Sequence, residues 1–288
     1  MRQLKTEYVN RNPTSTMMII LFFTALLILL PLPLIIFAAL CNRTEMRNRG
    51  TGQMIKDIAR ATVSAGISLI IAICTRPLTF LSNLPLIRKN GDETPILMTH
   101  GLYHNKVAWL VMRYRLNFAG FSNQHTWQYN SFTTSYPELV LELRDIISKL
   151  HLESGKKIIL TGHSLGGLLS CGAAQDSEIE KMCAGIITLG TPYRGSSLAS
   201  IALGRLGRSL HPKSSLFKGK NKIGYPRNIS KTAIISPTDE MVQPWANLEP
   251  TSEEWDIKRT HAMGHVAMLY SRQVGKMVVE AIRKIQNQ

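Results

Sequence analysis

The chain has 288 residues, 44% of them apolar, and 34 Lys/Arg against 19 Asp/Glu give it a formal charge of +15. That length holds one large domain or two small ones, and the apolar share suits a globular protein. The charge invites a nucleic-acid reading, but no zinc-finger, RRM or basic-helix pattern accompanies it, so nucleic acid is set aside as a partner.

Charge and apolar character are unevenly spread. Residues 1–90 carry 11 Lys/Arg and 3 Asp/Glu, a net +8, whereas residues 91–288 carry 23 and 16, a net +7. Basic residues beside an apolar N-terminus favour an anionic membrane surface. The four cysteines (Cys41, Cys74, Cys171, Cys183) follow neither a metal nor a disulfide spacing.

From Met17 to Leu40 no charge interrupts 24 residues. At about 1.5 Å per residue this stretch spans a hydrocarbon core of roughly 30 Å, so a transmembrane helix is predicted over 17–40, kinked at Pro31 and Pro33. The exit Phe37-Ala38-Ala39-Leu40-Cys41 lacks a small residue just before a cut, which favours an uncleaved anchor over a signal peptide. A second apolar run follows at 61–75. It is short for a span and fits an interfacial helix or one packed on the first. The anchor is therefore single-pass or a hairpin, and the flanking charges leave the side of the remaining chain open. Residues 84–94, with Pro, Gly and mixed charge, read as a linker. The division expected is an N-terminal anchor region, 1–90, and a folded unit, 91–288.

Beyond the linker, apolar runs of strand length alternate with helical patterns. Strands are predicted at 96–99, 125–130, 157–161, 184–189, 232–236 and 255–260. Helices are predicted at 107–118, 137–152, 196–206 and 266–285. The helix at 137–152 carries Leu139, Leu143, Ile146, Ile147 and Leu150 on one stripe. Strands separated by helices imply a mainly parallel sheet of about six strands, covered by helices on both faces.

Between the strand at 157–161 and a small-residue helix stands Gly162-His163-Ser164-Leu165-Gly166-Gly167. A serine on a sharp strand-to-helix turn holds its hydroxyl clear of the sheet, and the flanking glycines remove side chains that would clash. The Leu165 N–H then lies at a helix N-terminus, where negative charge is stabilised. A serine nucleophile needs a base and an acid, in the chain order serine, acid, histidine. His265 opens the last helix and is preferred over His261 and His211. Asp239 lies in a loop after a strand end, with Glu240 as the fallback. Gly101 lets the chain come close to a substrate, so the second oxyanion donor is the Leu102 N–H. His100 braces that loop. His261 and His265 are four apart, but Gly264 and the missing glutamate argue against zinc, and no metal is expected. Between Arg194 and Lys231 lie nine Lys/Arg and no acid, a candidate face for an anionic lipid surface.

His100-Gly101-Leu102, the Gly162–Gly167 motif, Leu189-Gly190-Thr191-Pro192, Asp239 with Met241-Val242, and Gly264-His265 together resemble the lipase/esterase branch of the α/β-hydrolases. The ending Gly264-His265-Val266-Ala267-Met268-Leu269-Tyr270 is similar to that of small bacterial triacylglycerol lipases. The resemblance covers roughly 93–285. It implies a compact α/β-hydrolase fold that cleaves carboxylic esters through an acyl-enzyme, without metal or organic cofactor. Ser164, His265 and Asp239 would be catalytic, Leu102 and Leu165 would form the oxyanion hole, and His100, Gly101 and His163 would shape the substrate loops. The expected partners are an ester or lipid substrate and a membrane, that of a bacterial inner membrane by the same likeness. The same triad also serves acyltransferases and thioesterases, and a non-catalytic hydrolase fold used for binding is the further alternative. Oligomeric state is left open.

Overall fold

Four of the strands are short apolar runs with hardly an exposed side chain, the signature of a sheet covered on both faces. In the computed structural model, which describes residues 13–83, 93–218, 223–252 and 254–288, they are β1 (Ile96–Thr99), β3 (Ile158–His163), β4 (Cys183–Leu189) and β5 (Ser230–Ile235). With β2 (Gln124–Trp127) and β6 (Asp256–Arg259) at the edges they form one six-stranded sheet, all parallel, in the order β2-β1-β3-β4-β5-β6. Side chains alternate across it. Leu97, Ile158, Leu160, Ile186 and Ala233 face one core, and Ile96, Met98, Ile159, Ile187 and Ile234 face the other.

The helices divide between those two cores. Helices α6 (Tyr136–Ser154) and α7 (Leu165–Ala174) cover the first face, and α5 (Leu110–Phe118) and α10 (Arg272–Gln286) cover the second. Helix α6 starts on a capping box between Ser135 and Glu138, with Pro137 in its first turn, and ends on Gly155 in the left-handed conformation. Two predicted helices are broken. The closing one is a 3-10 turn, Val266–Leu269, followed by α10, because the Ser271 side chain caps a new start by accepting from the Val274 N–H. The predicted helix at 196–206 is a 3-10 turn, Ser197–Ile201, and a separate α9 (Gly204–Ser209), with extended backbone at Ala202 and Leu203 between them. A short α8 (Ser177–Lys181) is capped by Asp176.

N-terminal to the sheet lie α1 (Pro13–Leu29), α2 (Leu32–Cys41), α3 (Arg43–Asn48) and α4 (Thr51–Thr75). The Pro31–Pro33 pair divides the first apolar segment instead of merely bending it. The second helix starts at Thr51, ten residues before the apolar run predicts. Its extra turns are polar, and there the buried Asp57 carboxylate meets Arg49 at 3.4 Å and Gln53 at 2.7 Å. The stretches Leu21–Cys41 and Thr51–Thr79, each holding an 18-residue window with mean hydropathy 2.7 and 1.8 respectively, are both long and apolar enough to cross a membrane. Helix α4 packs tightly on α1: a Cβ on Gly66 would lie 2.4 Å from Ile28 Cα. Most of the predicted linker, 84–92, falls outside the described residues.

Candidate active site

The chain runs from β1 out to the edge strand β2, then returns to lay β3 on the other side of β1. The loops leaving β1 and β3 therefore start side by side, at the kind of switch point where open parallel sheets bind ligands. Thr99 pairs with Gly162, and so His100-Gly101-Leu102 lies beside Ser164. A Cβ on Gly101 would fall 3.0 Å from Ser164 Cβ and 2.9 Å from His163 Nδ1, so only glycine allows this approach.

Ser164 has φ 55° and ψ −122°, strain that costs about 1–3 kcal/mol. The turn is held by the Ser164 N–H on Leu189 O at 2.8 Å and by the Gly167 N–H and Thr191 hydroxyl, both donating to Ser164 O. A Cβ on Gly166 would lie 2.2 Å from Thr99 O, and one on Gly162 2.4 Å from Gly167 N. The elbow is thus pressed into the sheet, and Leu165 opens α7 with its N–H at the helix N-terminus. Half-buried Leu102 lines the same cavity as Ser164.

Asp239 and His265 leave the sheet on the same rim. His265 Nδ1 donates to Asp239 Oδ2 at 2.6 Å, both groups being buried. The other carboxylate oxygen accepts from the N–H groups of Met241 and Val242 at 2.9 and 3.0 Å, which fixes its direction. Burial disfavours charge on the imidazole, but the Asp239 carboxylate outweighs it and raises the His265 pKa above its ordinary value. The neighbouring Glu240, also buried, accepts the His265 backbone N–H at 2.9 Å. Burial, with Asp239 beside it, pushes its carboxyl up to about 7. Of the two acids, only Asp239 reaches the ring.

The remaining histidines fall into separate groups. His163 donates from Nε2 to His265 O at 3.2 Å, and burial holds its pKa well below the ordinary value. His100 stacks on Tyr129 with ring centroids 4.2 Å apart and is held by Gly101 O and the Tyr129 N–H, its pKa lowered by burial to about 4. Both are neutral struts of the loops. His261 is exposed, and neither it nor His211 lines the cavity. Among the described residues, no group of three or more His, Cys, Asp or Glu is placed to hold a metal ion.

Ser164 and His265 open into one cavity of about 330 Å³, roofed by Leu198, Ile201 and Leu203 of the 197–209 segment. That segment is a small cap. The basic face predicted over 194–231 is incomplete. Lys231 lies buried in β5 with its ammonium on Pro226 O, Arg227 O and Glu254, whereas Arg194, which donates to Ala246 O, stays exposed. Lys220 and Lys222 are outside the described residues.

The family model of lecithin:cholesterol acyltransferase matches residues 94–208, from β1 through α9. Three solved structures share the architecture. Bacillus licheniformis lipase BlEst2 in its mature form matches with a TM-score of 0.51 at 15% identity, covering 69% of this chain and 94% of its own. Aspergillus fumigatus lipase B matches at 0.58 and 15%, covering 68% and 54%. The metagenomic carboxyl esterase MGS0156 matches at 0.52 and 12%, covering 69% and 77%. The fold is that of the α/β-hydrolases.

The N-terminal helices stand before the region matched by the family model, yet they touch the site at three places. Asn42, just past α2, donates to Gln243 Oε1 at 2.6 Å and accepts from the Trp245 N–H at 2.9 Å. Both of those residues in turn donate to Asp239 O, at 2.9 and 2.6 Å. Ala38 and Met46 bury against Val242, Trp245 and Leu248 beneath the same loop, and the Arg49 guanidinium sits 5.5 Å over the Trp245 ring. On α4, Ser64 Oγ accepts the Gly264 N–H at 2.9 Å, and a Cβ on Gly264 would lie 2.6 Å from that of Ala65. Finally, Leu34 of α2 lines the cavity itself. None of these contacts has a local sequence signal. Asn42 reads as the polar end of an apolar stretch, and Ser64 as one small residue among many.

Proposed function

We propose that this protein is a membrane-anchored serine hydrolase that cleaves carboxylic esters of lipids. The observation that carries the reading is the buried Asp239–His265 pair at 2.6 Å, opening into the same cavity as a serine in a strained strand-to-helix turn. In this reading His265 Nε2 takes the proton of Ser164 Oγ as the oxygen attacks the ester carbonyl. The N–H groups of Leu102 and Leu165 hold the oxyanion, and Asp239 stabilises the imidazolium. The same proton then goes to the leaving alcohol, and water, deprotonated by His265, releases the acid. The raised His265 pKa fits a base that must hold a proton during both steps. The anchor would be the helices at 17–40 and 51–75, whose apolar faces have the length to span a bilayer.

A fluorophosphonate probe tests the reading. Wild-type protein is expected to be labelled and to hydrolyse p-nitrophenyl esters. Ser164→Ala is expected to lose labelling and at least about 10⁴-fold in kcat. An unlabelled wild type would leave a hydrolase fold used for binding.

The match to the acyltransferase family model favours one second reading, in which an alcohol instead of water accepts the acyl group. Adding a lipid alcohol such as a sterol or diacylglycerol separates the two: a transferase makes a new ester at the expense of free fatty acid.

A further inference from the structure

The cavity over Ser164 has a wall that belongs to neither the sheet nor its cap. Leu34 comes from α2, inside the apolar stretch Leu21–Cys41, and faces the cavity with Leu198, Ile201, Leu203, Met241 and Val266. The mouth there is apolar and open: Ile201 is 79% exposed, Leu203 67% and Met241 43%. On the same helix Ile36, Phe37 and Leu40 are also exposed, and α1 adds Leu21, Phe22, Leu26 and Leu29. Large apolar groups gathered this way mark a surface that is not meant to face water.

Depth points the same way. Leu34 precedes Cys41, the end of the apolar stretch, by seven residues, which is about 10 Å of helix. Arg43 and Arg47 follow directly, where headgroup phosphates would lie. With α2 across a bilayer, Leu34 sits at the level of the acyl tails and not of the headgroups.

Resting on the esterase reading above, we propose that α2 forms one wall of the acyl-chain site. The cavity then takes the tail of a membrane lipid ester directly from the bilayer, between Leu34 and the rim of Ile201 and Leu203. The membrane segment is thereby part of the substrate site, and Leu34 sets how long a chain is accepted. A cavity of about 330 Å³ is at the small end for ligand sites and suits one chain.

The test uses the full chain in lipid nanodiscs, with p-nitrophenyl butyrate and p-nitrophenyl palmitate as substrates. Leu34→Trp narrows the site and is expected to lower the palmitate-to-butyrate ratio of kcat/KM at least tenfold. Leu34→Ala widens it and is expected to move the palmitate-to-butyrate ratio the opposite way, a reversal that misfolding does not produce. A ratio unchanged in both variants, in a wild type that cleaves both esters, overturns the acyl-wall assignment and spares the esterase reading. A wild type that cleaves neither ester and takes no fluorophosphonate overturns both. For entry from the bilayer, Ile201→Asp with Leu203→Asp is expected to reduce hydrolysis of an ester lipid embedded in the nanodisc at least tenfold more than hydrolysis of butyrate. Equal rates on the embedded lipid before and after overturn lateral entry.

Discussion

The α/β unit and the N-terminal helices are built on opposite terms. In the unit, every central strand is paired on both sides and covered on both faces, so its apolar residues are used up internally. Among the described residues the helices bury a narrow apolar seam of Ile35, Ala38, Met46, Ala61 and Ala65 and leave most of their apolar surface outward. One region holds the candidate site, and the other has the composition of a tether. Yet the tether's seam ends on the two loops that carry Asp239 and His265. A segment with little core of its own can still position a site when its few polar atoms are buried and paired.

Attacking the Asp239 loop from each side sharpens this contrast. From the hydrolase side, Asp239→Asn keeps the shape but removes the charge that orients and stabilises the imidazolium. kcat is expected to fall by about 10³–10⁴, measured at saturating ester. From the helix side, Asn42→Ala leaves Gln243 Oε1 and the Trp245 N–H buried without partners, a cost of about 1–3 kcal/mol each if neither finds a substitute. kcat/KM is expected to drop about tenfold with the melting temperature lowered by several degrees, although Asn42 lines no part of the cavity. Unchanged activity with lowered stability would reduce the helices to a mere support.

The smallest effect concerns the acid that no sequence rule separates from its neighbour. Glu240 raises the His265 pKa when ionised, and Asp239, the larger influence, remains beside the ring with the neutral His163. Glu240→Gln keeps a hydrogen-bond acceptor for the His265 N–H but removes that negative charge. Protonated His265 cannot act as base, so activity falls below its pKa. The acid limb of the kcat/KM profile is therefore expected to move to lower pH by a fraction of a unit.

How much of this was legible depends on whether the constraint is local. The central strands were readable because a buried parallel strand announces itself as an apolar run, and the elbow because its glycines lie within two residues of Ser164. Asp239 and His265 could be nominated because topology orders them after the serine. The helix contacts were not readable. Apolar residues facing lipid and apolar residues facing protein have the same composition, and Asn42 meets Gln243 across 201 positions. The start of α4 was hidden by Lys56, Asp57 and Arg60, which read as a polar connection, although Gln53 and Asp57 pair four residues apart along the helix and Arg49 reaches Asp57 from the turn before it.

The contact between Gly264 and Ala65 leaves no room for a methyl group on the glycine. Helix α4 and the loop bearing His265 therefore cannot drift independently at these positions. A chimera with a different helix in place of α4 would have to present a small residue at that one height, or the loop bearing His265 would be displaced.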